Sequence, residues 1–136
     1  MRQRVKAAST AALAASAALA MVWATSAGAR VPPRWVLVGR ERFSVNGRFA
    51  TVPTYVNTNS IEGDRFDSFT VTFQARYNGR QGIDRVNVGA IVDCQQETVS
   101  AEQFYVYYGA GSTDFDRTDG GELSARVTNR ALSYCR

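Results

Sequence analysis

Between Ser68 and Tyr77 the chain alternates without a fault. Phe69, Val71, Phe73, Ala75 and Tyr77 are apolar, and Ser68, Thr70, Thr72, Gln74 and Arg76 between them are polar. A period of two sends successive side chains to opposite faces of an extended strand, so this segment buries one face and wets the other. The pattern returns at Val86, Val88, Ala90, Val92 and Cys94, after a turn signalled by Asn78-Gly79. Shorter apolar runs predict strands over Arg34–Arg40, entered from Pro32-Pro33, and over Thr54–Asn57, ending in the turn-rich Thr58-Asn59-Ser60. A further strand is predicted over Ala101–Tyr108, stopped by Gly109 and Gly111. Consecutive strands joined by short turns favour an antiparallel sheet, because parallel pairing needs long crossover connections.

The last segment changes period. Leu123, Val127, Ala131 and Tyr134 recur at helical spacing, with Glu122, Arg126, Asn129, Arg130 and Ser133 on the opposite face. Asp119 is the expected N-cap, with Glu122 three residues on, close to a capping box. The expected architecture is α+β: an antiparallel sheet of about five to six strands with one C-terminal helix packed across its apolar face.

Ahead of this domain, residues 1–29 read as a secretory signal peptide. Arg2, Arg4 and Lys6 precede an Ala-rich apolar stretch that ends in Ala27-Gly28-Ala29, the small residues of a cleavage site. Ser9, Thr10, Ser16 and Thr25 interrupt the stretch, which makes it a poor membrane anchor. The expected mature domain, residues 30–136, is therefore periplasmic, secreted or at the cell surface, with no membrane anchor after cleavage.

Charge and composition narrow the function. Of sixteen basic residues the leader holds three, leaving thirteen arginines against twelve acids, so the mature domain is nearly neutral and its basic pI does not argue for nucleic acid or an anionic membrane as partner. Histidine is absent, which removes the commonest general base and metal ligand. No cofactor or metal is expected, and the domain is not expected to be an enzyme. In an oxidising compartment the two cysteines, Cys94 and Cys135, read as a disulfide, worth roughly 4 kcal/mol by loop-closure entropy. A redox or metal-binding pair is the other reading, but neither cysteine has a CxxC neighbour or a histidine partner.

Three clusters are candidate sites. Asp114 to Gly120 resembles a calcium loop in composition, but Thr118 and Ala125 fall where ligands are needed, so it reads as a solvated loop. Glu62, Asp64 and Asp67 can pair as catalytic carboxylates, or sit solvated beside the Gly63 turn. Tyr105 and Tyr107, on the face opposite Phe104 and Val106, are either an aromatic binding stripe or rings packed beneath a loop or a homodimer partner.

The order Trp35-Val36-Leu37-Val38-Gly39, then Tyr55-Val56-Asn57 with Ser60-Ile61, then a strand ending in Asp93-Cys94, then a helix with a last cysteine, resembles the surface-adhesin protein E-like domains. The resemblance spans Trp35 to Cys135. It implies an antiparallel sheet with a C-terminal helix tethered by a disulfide, and a binding function, since the family's named member is an adhesin for host matrix and plasma proteins. This chain has Asn57 where the pattern has Asp, and no cysteine near the cleavage point to take a lipid. The expected function is an exported, non-enzymatic domain with a host or envelope protein as partner. The other reading is a small periplasmic structural or envelope-associated factor.

Overall fold

The computed structural model describes residues 31–118 and 122–136. The leader assigned to residues 1–29, and the expected N-cap Asp119, lie outside the described residues. Among the described residues six strands form one antiparallel meander: β1 Trp35–Val45, β2 Arg48–Gly63, β3 Ser68–Arg76, β4 Arg85–Asp93, β5 Thr98–Tyr107 and the short β6 Asp116–Arg117. A 3-10 turn, Arg80–Gly82, lies between β3 and β4, and one helix, α1 Ala125–Leu132, follows the sheet.

The alternation places the core as expected. One line of paired residues crosses the sheet as Val36, Val56, Phe73, Val88 and Phe104, and a second runs Thr54, Ala75, Val86 and Val106. Apart from the half-buried Val36, all of these are buried, together with Val52, Phe69, Val71 and Val92. Helix α1 presses Val127 and Ala131 into this face, and it touches both β1 and β5. A sheet whose first and fifth strands meet one helix is strongly curled, and Thr118 Oγ1 at the end of β6 donates to Asn46 Oδ1 in the β1–β2 turn at 3.1 Å. The core therefore lies inside an incompletely closed curl, with the helix in the opening.

The first hairpin is longer than the sequence reading allowed. Strand β1 runs on to Val45, turns at Asn46-Gly47, where both residues have positive φ (51° and 78°), and returns as β2 from Arg48. Such a turn matches the twist of the flanking strands. Two features concealed it. A bulge between Leu37 and Gly39 shifts the alternation, so Val36 and Val38 face inward before it and Glu41, Phe43 and Val45 after it. Pro53, which cannot donate to a ladder, pairs with Arg40 beside that bulge. Thr58-Asn59-Ser60 is not a turn but an irregularity within β2, where the register with β3 slips between Asn57 and Glu62. Asn57 Oδ1 secures it by accepting from Arg34 N at 2.9 Å and Asn59 N at 3.1 Å.

The helix start also differs. Ser124, not Asp119, is the N-cap: its Oγ accepts from Val127 N at 3.2 Å. Glu122 precedes the helix instead of lying on its polar face. The Ser124 hydroxyl donates in turn to Glu41 Oε1 at 2.7 Å, and Arg126 Nη1 lies 3.3 Å from Glu41 Oε2. Arg126, placed by the helical spacing on the face opposite the apolar stripe, thus neutralises a carboxylate that is only 6% exposed. Gly39 makes room for this arrangement, because a Cβ there would collide with Arg126 and Glu41.

Candidate functional site

The disulfide expected from the sequence is present. Cys94 and Cys135 are bonded, with Cα atoms 5.8 Å apart. The bond joins the end of β4 to the chain just past α1, and Arg65 Nε reinforces it by donating to Tyr134 O at 2.7 Å. It points to an oxidising, extracytoplasmic compartment. Among the described residues no helix is long and apolar enough to cross a membrane.

Because the helix occupies the inner face, the outer face of the sheet is where the chain presents organised side chains. Strand parity puts Tyr105 and Tyr107 there. Both are half-buried, and both pack against Phe115 from the loop after β5, with ring centroids 4.6 Å and 5.5 Å away. The loop is held by Arg85, whose Nη2 donates to Ser112 O at 2.8 Å while its guanidinium lies 3.9 Å from the Tyr107 ring. Asp84 pairs with the same arginine at 2.9 Å. The two tyrosines are therefore neither bare nor core: Phe115 and Arg85 fix them in place at the surface.

A second stacked group lies two strands away. The Arg76 guanidinium sits 3.9 Å from the Tyr55 ring and 5.8 Å from Trp35. Arg76 Nε donates to Gln74 Oε1 at 2.8 Å, and Gln74 Nε2 donates to Asn87 Oδ1 at 3.0 Å. Asn87 stands opposite Tyr105, so this polar chain runs from β3 across β4 and links the two aromatic groups. Arg76 has no carboxylate partner among the described residues, whereas both terminal nitrogens of Arg85 are engaged, by Asp84 and by Ser112 O. Sequence reading missed Arg76, Gln74, Asn87, Phe115 and Tyr55 as a unit, because cross-strand register, not spacing along the chain, brings them together.

Of the other sequence candidates, the Glu62, Asp64 and Asp67 cluster lies apart from this face, while the loop from Asp114 borders it. The Asp64 carboxylate accepts from Phe66 N at 2.9 Å and so shapes the β2–β3 turn, while Glu62 and Asp67 are exposed at the same end. Asp114 belongs to the loop over the tyrosines, where its N–H donates to Ser112 Oγ. Among the described residues no group of three or more acidic or cysteine side chains is placed to hold a metal. A recess of about 520 Å³ lies between Arg42, Ser44, Phe49 and residues 122–125. Its Ser124 hydroxyl is already committed to Glu41 and to the helix cap. Compared with family models, with curated proteins and with solved structures, the chain matches none of them.

Proposed function

We propose that this chain is an exported, non-enzymatic binding domain of the surface-adhesin protein E kind, and that the outer face of its sheet makes the contact. The observation that carries this reading is the fixed arrangement of rings and guanidiniums on a face that α1 leaves uncovered. Tyr105, Tyr107 and Phe115 at one side and Tyr55, Trp35 and Arg76 at the other offer large, rigid contact area at low side-chain entropy cost, as binding surfaces rich in Tyr, Trp and Arg do. The disulfide supports a site of action outside the cytoplasm.

The test is direct. Immobilised matrix and plasma proteins, and envelope protein fractions, are offered to the purified disulfide-bonded domain, alongside a Tyr105→Ala/Tyr107→Ala variant. Truncating both rings should weaken binding by about 2 kcal/mol or more, while the core face keeps the domain folded. Binding that survives unchanged in a folded double variant would refute the outer-face reading. Protease accessibility on intact cells then separates a surface adhesin from a periplasmic factor.

A further inference from the structure

The near-neutral net charge includes a local cluster of arginines. At the hairpin end of the sheet, Arg40 and Arg42 on β1, Arg76 on β3, Arg85 on β4 and Arg117 on β6 share the outer face, and Arg80 reaches the same place from the 3-10 turn. Glu62, Asp64, Asp67, Asp93 and Glu97 gather at the opposite end, around the β2–β3 and β4–β5 turns. Asp84, Asp114 and Asp116 share the basic end, but of these only Asp84 forms an ion pair among the described residues, and several arginines lie close together. Arg76 stands directly opposite Arg85 in the register, a like-charge pairing that sheets disfavour. Arg40 Nη2 and Arg80 Nη1 donate to one and the same oxygen, Thr51 O, at 3.1 and 3.0 Å, so their nitrogens lie within about 6 Å of each other. Among the described residues the only ion pairs are Arg85–Asp84 and Arg126–Glu41, which leaves Arg40, Arg76 and Arg80 without a carboxylate.

From this we propose that the outer face binds a sulfated polysaccharide, laid across the strands over Arg40, Arg80 and Arg76; the inference rests on the reading of that face as the binding surface. Charge complementarity selects a polyanion, and two guanidiniums sharing one carbonyl select a densely charged one, which sulfation supplies. Arginine forks match such oxyanions in paired hydrogen bonds. Strands sit about 4.8 Å apart, so β1 to β3 spans roughly 10 Å, enough for successive anionic groups of one chain to meet successive arginines. Single-stranded nucleic acid is less suited, because it stacks bases on open rings. Here the Tyr55 and Tyr107 rings each already carry a guanidinium at 3.9 Å.

The experiment measures binding of heparin, hyaluronate and poly-dT of matched length to the disulfide-bonded domain across a salt series. Heparin should bind in a salt-dependent manner and more tightly than either of the others. Arg40→Gln/Arg80→Gln, a pair of exposed changes distant from the core, should weaken heparin at least about tenfold and lower the salt slope by roughly one per lost contact. Arg76→Lys, which keeps the charge but loses the planar stack, should weaken it less than Arg76→Gln. An unchanged affinity and slope in the double variant overturns the proposal, as does poly-dT or hyaluronate binding as tightly as heparin. If heparin fails to bind while a matrix protein still binds and loses affinity in the Tyr105/Tyr107 variant, the polysaccharide falls and the binding-domain reading stands. If the Tyr105/Tyr107 variant keeps every protein contact while heparin follows the arginines, the reverse holds.

Discussion

The two faces of this sheet are built from the same strands and by different rules. On the inner face, lines such as Val56, Phe73, Val88 and Phe104 gain from burial with any apolar neighbour, and the interaction has no direction. On the outer face, Arg76 needs the Tyr55 ring beneath it and the Gln74 amide beside it, so each group depends on a particular partner on another strand or two residues away. The inner face is robust because it is generic. The outer face is specific because every member is oriented by another.

The largest expected effect tests the inner face. Val127 is fully buried under the curl, and Val127→Asp places a charge there with no partner, at a cost of several kcal/mol. Urea unfolding should show the variant largely unfolded; a near-native midpoint would mean that α1 does not seal the core. Next, breaking the Cys94–Cys135 bond by Cys94→Ser/Cys135→Ser should cost about 2–5 kcal/mol, read as a shift in the same curve. A smaller loss tests where the faces meet. Arg126→Asp sets a carboxylate against the buried Glu41, and about 1–2 kcal/mol is expected, discounted because Arg126 is mostly exposed. Arg130→Asp, on the same helix with no ion pair among the described residues, serves as the control and should fall within about 0.5 kcal/mol.

The smallest effect is at Tyr77, whose hydroxyl is buried without a hydrogen-bond partner among the described residues. Burial pushes this phenol above the usual tyrosine range, with Arg80 pulling partly against it. The folded state therefore favours the neutral form, and the unfolded chain ionises first. The contribution is whole below about pH 10 and declines as pH rises through and beyond that value. Tyr77→Phe should flatten the alkaline loss of stability while changing it at neutral pH by less than about 1 kcal/mol. A steeper alkaline decline in the variant would contradict the assignment.

What could be read in advance follows the same division. Strands β3 and β4, the helix with Val127 and Ala131 on its buried side, and the cysteine pair were legible because each is declared by local periodicity or by residue type. The β1–β2 hairpin was not, since the bulge before Gly39 reverses parity and Glu41 occupies a core position that only Ser124 and Arg126, more than eighty residues later, make tolerable. The N-cap was misplaced because Asp119 and Ser124 are both good capping residues, and the tie to Glu41 favours the second. On the outer face the tyrosines were visible as residues, but their fixing by Phe115 and Arg85 depends on the path of the loop after β5 and is invisible to spacing.

Every strand in the meander pairs with its neighbour in sequence, so the sheet can zip through short loop closures that cost little chain entropy. Helix α1 is the exception, because its anchor Glu41–Ser124 joins residues 83 positions apart. Refolding should accordingly separate into rapid growth of hairpins and a later docking event. A chain halted between the two would be a trough of Val, Phe and Ala open to solvent, with β1 not yet covered by α1, and it is in this short-lived form that copies of the protein would be most prone to stick to one another.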